Sequence, residues 1–227
     1  VHELDATKGQ MQLFCQQVFV TKETKEVVPE FLTLLQGAID CPDIPLNVSR
    51  SYLQSDSNVK KINTYITKKV ADKLKELFDE DRKTYEKKWN DIGIFVKYGM
   101  ISEEKFYEKA LDFALFESIN GKFRTIPEYQ KFAKKNQTDK NKNTVILYTS
   151  NPDSQDVYIE NAKKKNYDII ILNGAIDSHF INHLEQKLEK TLLKRIDSDV
   201  IDRLIDKDEK KESVITEKEK ESIKKIF

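Results

Sequence analysis

The stretch Asp43-Ile44-Pro45-Leu46-Asn47-Val48-Ser49-Arg50, followed by Leu53-Gln54, holds the residues of this chain best suited to chemistry on a phosphate. Arg50 offers a planar fork of N–H donors that matches phosphate oxygens, and Gln54 can donate or accept beside it. If a helix begins near Ser49, Arg50 and Gln54 stand four residues apart on one face. Pro42 and Pro45 remove N–H donors and push the residues before them out of the helical region. The result is a stiff loop feeding a helix start, which holds a polar cluster in place. Spacing alone leaves a second reading open, because a lone arginine at a helix start also serves as a surface charge or an ion-pair partner.

Other candidate chemistry is thinner. His179 and His183 have the i, i+4 spacing of two zinc ligands on a helix. Phe180 stands where the zincin pattern needs a glutamate, and no third ligand is evident, so ordinary helical histidines are expected. Gly174 follows a strand, but there is no Gly-x-Gly-x-x-Gly and no Walker loop to cradle a phosphate. Cys15 and Cys41 lack the spacing of a metal or redox motif. Asn136-Gln137-Thr138 matches a glycosylation acceptor, which has no consequence without a secretion signal. Tyr85, Trp89, Phe95, Phe106, Phe113 and Phe116 are expected to form a helical core and not an exposed client-binding surface.

The elements that position these residues follow from periodicity. Met11 to Val20 reads as a strand buried on both sides for part of its length, and Val27 to Gln36 as a short helix that Gly37 ends. From Val59, Ile62, Ile66, Val70, Leu74 and Leu77 hold one face of a helix for about five turns. A second helical stretch carries Tyr85, Trp89 and Ile92, and a third opens after Ser102. Asn120-Gly121 signals a two-residue hairpin, and Thr125-Ile126-Pro127-Glu128 has the pattern of a capping box. Beyond the polar run Lys134 to Asn143, strand and helix alternate: Val145 to Tyr148, Ser154 to Lys165, Asp168 to Leu172, Ser178 to Leu188 and Leu192 to Ile196. That alternation predicts a small parallel sheet with right-handed crossovers. The charge-dense run near Lys210 reads as a solvated linker.

Composition sets limits. Charged residues make up 34% of the 227, and 39 Lys plus Arg balance 39 Asp plus Glu, so no global field draws nucleic acid or an anionic membrane. No stretch approaches the roughly 20 apolar residues of a membrane helix. A soluble chain of a reducing cytoplasm is expected. Val1 opens the sequence without an initiator methionine, and Ser222 to Phe227 reads as a helix without a stop signal, so a piece of something longer is expected.

The strings Gln17-Val18-Phe19-Val20-Thr21, Val28-Pro29-Glu30-Phe31-Leu32, Gly37-Ala38-Ile39-Asp40, Asp43 to Arg50 and Leu53-Gln54 resemble, in order and spacing, the catalytic-loop region of the ninety-kilodalton heat-shock chaperones in their bacterial form. Tyr129, Val145 to Tyr148 and Ile176-Asp177 resemble the second α/β subdomain of the same middle domain. The resemblance runs from about Met11 to about Ile205. It implies an α/β fold: part of a larger α/β subdomain with the catalytic loop over 1–57, and a helical connector with a hairpin over 58–142. A small α/β/α subdomain with a mostly parallel sheet comes next over 143–198, then a linker or the start of a dimerisation domain over 199–227.

The functional implications of the resemblance are specific. A separate N-terminal domain binds ATP with magnesium, and Arg50 reaches its terminal phosphate when the domains close, with Asn47 and Gln54 beside it. Phe19 matches the phenylalanine that packs against the nucleotide domain. This is the logic of an arginine finger, a cation delivered late to stabilise charge in the transition state. Many members have a glutamate after the arginine where this chain has Ser51, so a carboxylate partner for Arg50 has to come from elsewhere. The segment is then not an enzyme by itself and binds no cofactor alone. Its partners are the nucleotide domain and unfolded or partly folded clients, and it is a homodimer at full length but a monomer as a fragment. A stand-alone α/β nucleotide- or ligand-binding module built on the sheet from Val145 to Ile196 is the alternative. A purely scaffolding module, with Arg50 in a buried structural ion pair, is a third reading.

Overall fold

A computed structural model of the chain describes residues 11–21, 28–32, 37–40 and 56–207. Over the first of these the expected single strand is a hairpin: β1 (Met11–Cys15) turns at Gln16 and Gln17 into antiparallel β2 (Val18–Thr21). Periodicity missed the turn because neither glycine nor proline marks it. The expected helix over Val27 to Gln36 is, in its described part, only a 3-10 turn at Glu30–Leu32, and Gly37 opens β3 (Gly37–Asp40) instead of closing a helix. β3 pairs in parallel with β1, so the strand order is β2-β1-β3.

Three helices come next, as the apolar spacing predicts: α1 (Asp56–Glu80), α2 (Arg82–Ser102) and α3 (Glu104–Ala110). Ile62, Ile66 and Ala71 of α1 are buried, but at its end Phe78 turns inward and Leu77 is 42% exposed. The aromatic ring wins the inward position because it meets Tyr85 of α2 edge-on, with centroids 5.5 Å apart. Asp81 caps α2, its carboxylate accepting the Thr84 N–H at 3.0 Å. Tyr85, Trp89, Phe106, Phe113 and Phe116 are buried and form core as expected, whereas Phe95 is only half-buried. Gly99 is needed where α2 meets Phe31 and Phe106, since a Cβ there would lie 2.8 Å from the Phe106 ring. Phe31 and Phe106 meet at a tilt of 45° with centroids 4.7 Å apart and join the 3-10 turn to the connector.

β4 (Leu115–Glu117) and β5 (Phe123–Thr125) form a hairpin around Asn120-Gly121 as expected, but residues 118–122 connect the strands in place of the two-residue turn, with Gly121 at φ 72°. The Thr125 capping box is present and starts α4 (Ile126–Ala133). The last unit runs β6 (Thr144–Thr149), α5 (Asp156–Lys164), β7 (Ile169–Ile171), α6 (Asp177–Lys187), β8 (Thr191–Arg195) and α7 (Ile201–Leu204). Its three strands are parallel in the order β7-β6-β8. Ile146 and Ile170 face a core shared with Phe180, Leu184 and the connector, while Val145, Leu147 and Ile169 face Ile159, Ala162 and Leu204. Covered on both faces, β6 reads as the continuous apolar run typical of a central parallel strand.

Candidate functional site: the Phe19 edge and its supports

Of the residues singled out for chemistry, Asn47, Arg50 and Gln54 lie outside the described residues, as do Cys41 and Ser51. Phe19 is described. It is 49% exposed on β2, next to Val18 at 56%, and its ring stands edge-on to Phe14 with centroids 5.7 Å apart. Among the described residues β2 pairs only with β1, and exposed apolar residues on such a strand suit a docking contact. Leu13 and Cys15 on β1 are buried and anchor the hairpin from below.

The hairpin has its own local geometry. Cys15 pairs with Val18, Phe14 with Phe19 and Leu13 with Thr21, which leaves Val20 as the extra residue of a β-bulge. Gln16 and Gln17 adopt φ of 48° and 67°. The Gln17 N–H donates to Asp40 Oδ2 at 2.9 Å. The family resemblance assigns a role to Phe19 and none to Asp40, and no local spacing links residues 17 and 40.

Two charged contacts tie α2 to later elements. Arg82 donates from both terminal nitrogens to Glu128 at 2.7 Å each, and from Nε to Glu86 at 2.9 Å. Hydrogen bonding from Arg82, aided by the Thr125 N–H, depresses the Glu128 carboxyl to about 2. Deeper in, Lys97 of α2 donates to Asp177 of α6 at 2.6 Å, with little of either side chain exposed. Asp168 forms a third knot: it accepts from the Ser118 hydroxyl, faces Arg124 at 3.6 Å, and its own N–H reaches the buried Gln137 side chain at 2.7 Å. Burial, with the nearby Asp168 charge, pushes the Tyr129 phenol well above its usual value.

At the carboxyl ends of the parallel strands, where α/β folds usually bind ligands, the chain's own acceptors occupy the amides. The Gly174 N–H donates to Asp177 Oδ2 at 2.8 Å. After β6, Gln155 Oε1 accepts from the Thr149 hydroxyl at 2.6 Å and from the Ser150 and Asn151 N–H groups at 3.3 and 3.4 Å. A carboxylate and an amide oxygen thus sit where a phosphate would have to. A cleft of about 140 Å³ beside Trp89, Lys97, Leu115 and Asp177 is smaller than the roughly 300–1,000 Å³ of ordinary ligand pockets.

His179 is exposed, whereas His183 is half-buried, edge-on to Tyr107 at 5.2 Å and lowered in pKa by burial and by Lys187. Among the described residues no group of three His, Cys, Asp or Glu is placed to hold a metal. The Asn136 side chain donates to the Lys165 and Asn166 carbonyls at 3.1 and 2.8 Å, closing the end of α5.

The family model for Hsp90 protein matches residues 2–227. The chain belongs to the Hsp90 family. As an Hsp90-family chain it is 53% identical over 224 residues to a chaperone protein HtpG of Bacteroides fragilis, a match covering 99% of this chain and 33% of that protein. It is 49% identical over 226 residues to chaperone protein HtpG of Porphyromonas gingivalis, again over 33% of its length. The chain therefore spans about a third of the curated relatives it matches. Its fold is similar to the middle domain of a Plasmodium falciparum heat shock protein, with a TM-score of 0.61 at 21% identity, covering 83% of this chain and 74% of that one. The mixed α/β architecture with its parallel sheet is thus that of an Hsp90 middle domain. Among the described residues no helix is long and apolar enough to cross a membrane.

Proposed function

We propose that this segment couples ATP hydrolysis in a neighbouring N-terminal nucleotide domain to the handling of unfolded or partly folded client proteins. Arg50 supplies a cation to the terminal phosphate of ATP bound there with magnesium, Asn47 and Gln54 stand beside it, and Phe19 packs against the nucleotide domain as the two close. The segment is not an enzyme by itself, since the pocket that holds nucleotide belongs to the neighbour. At full length the protein works as a cytoplasmic homodimer, and the division into 1–57, 58–142, 143–198 and 199–227 separates the catalytic-loop unit from the connector, the parallel sheet and the link to the dimerisation domain.

The observation that supports this reading is the exposed pair Val18 and Phe19 on β2, which among the described residues pairs only with β1, in a chain whose sequence from Asp43 to Gln54 resembles the family's arginine loop. The occupied amides after β6 and β7 count against the stand-alone nucleotide-binding alternative.

The test is reconstitution. Adding the chain to the isolated nucleotide domain is expected to raise its ATPase rate, and Arg50→Ala is expected to remove most of that gain, on the order of 10³-fold for a cation acting on the transferred phosphoryl group. Equal stimulation by wild type and Arg50→Ala defeats the assignment.

A further inference from the structure

We propose that Asp40 is the positioning residue of the Phe19 edge: its carboxylate holds the Gln16–Gln17 turn in a left-handed conformation and thereby sets how Val18 and Phe19 meet the nucleotide domain. The proposal rests on the docking role given to Phe19 above.

Gln16 and Gln17 both have positive φ, 48° and 67°, a region that side chains with a Cβ disfavour. Two-residue hairpin loops of this kind draw on Asn-Gly or Asp-Gly because those residues enter the left-handed region readily. A Gln-Gln pair has no such preference, so the turn depends on something outside itself.

Asp40 supplies that support. It lies on β3, which flanks β1 on the side away from β2, and it pairs with Phe14. From there its Oδ2 reaches past the end of β1 and accepts the Gln17 N–H at 2.9 Å. The edge hairpin is thereby tied to the far neighbour of its own first strand. Directly beneath the turn, Cys15 pairs with Val18 and Phe14 with Phe19, so any change in the turn is passed at once to the two exposed apolar residues. The bulge at Val20 adds local twist and re-aims the strand at the same place. A left-handed pair, a bulge and two exposed apolar side chains within five residues suggest that backbone strain is kept here for a purpose. Asp40 also stands ten residues before Arg50 in the sequence.

The test uses the chain as wild type, Asp40→Ala, Asp40→Asn and Phe19→Ala, titrated calorimetrically with the ATP-loaded nucleotide domain, with exchange of the Gln17 amide followed by NMR. Asp40→Ala is expected to speed Gln17 exchange about tenfold and weaken docking about fivefold, whereas Asp40→Asn, which keeps a carbonyl acceptor, stays within about twofold on both. Placing Gln16→Asn and Gln17→Gly in the Asp40→Ala background is expected to restore docking to within about twofold, because the turn then holds its shape unaided. Unchanged Gln17 exchange in Asp40→Ala, or failure of that rescue, overturns the positioning role. Wild-type docking by Phe19→Ala overturns the docking reading on which it rests, so the two failures are distinguishable.

Discussion

Lys97 and Asp177, eighty residues apart, form a 2.6 Å ion pair with side chains only 13% and 4% exposed. The pair joins the middle of α2 to the first turn of α6. Asp177 also accepts the Gly174 N–H and stands at a helix N-terminus, where a negative charge complements the dipole. Lys97 has a second contact, lying over the Phe180 ring at 5.8 Å. The connector and the parallel-sheet unit thus meet through a charge pair embedded in a shared apolar core.

Removing one member leaves the other buried without its counter-charge. Lys97→Met is expected to destabilise the fold by about 3 kcal/mol, and the double variant Lys97→Met, Asp177→Asn by clearly less. Urea unfolding checks this; equal losses in the single and double variants would show that the pair is not coupled.

Acid should weaken the Arg82–Glu128 bridge. The folded carboxyl sits at about 2, against 4.5 for the unperturbed group. Because the folded value is depressed, the contribution is fully present above pH 4.5 and is lost as pH falls toward 2. With the Glu128 side chain 45% exposed, solvent screening limits the contribution to roughly 1 kcal/mol. Glu128→Gln should therefore lower stability by about that amount at pH 7 and flatten the stability profile between those two values. A pH profile of thermal unfolding parallel to wild type would contradict it.

Gly99→Ala sets two effects against each other. Alanine favours a helix over glycine by about 1 kcal/mol. The added Cβ, however, would stand 2.8 Å from Phe106 and 3.1 Å from Phe31, and both rings are buried with nowhere to retreat. Overpacking costs about 1–3 kcal/mol, so a net loss is expected, accompanied by a changed Phe31–Phe106 contact. Stabilisation by Gly99→Ala in denaturant titration would mean that the rings yield freely.

Much of the architecture was open to reading from local pattern. The apolar spacing of α1 to α3, the Thr125 capping box and the strand–helix alternation after residue 143 depend on contacts within a few residues, and so their signals lie in short windows of sequence. The family string around Arg50 was legible for the same reason. Phe19 is singled out by the resemblance of Gln17 to Thr21, but its exposure and edge-on contact with Phe14 came only with the fold. Asn47, Arg50 and Gln54 rest on the string alone, since they fall outside the described residues.

By itself, then, the sequence determined the α/β class, the order of the elements and the family, because periodicity, caps and a distinctive motif are written locally. Only the tertiary structure decided that Met11 to Val20 bends at Gln16 and Gln17, that Phe78 displaces Leu77 from the core, and that Lys97 meets Asp177 while Arg82 meets Glu128. With 34% of residues charged, any lysine has many candidate partners. Which one it meets is set by how the helices cross and which rings fill the space between them, and in a turn without a glycine the Gln17 N–H finds its acceptor in Asp40 of another strand.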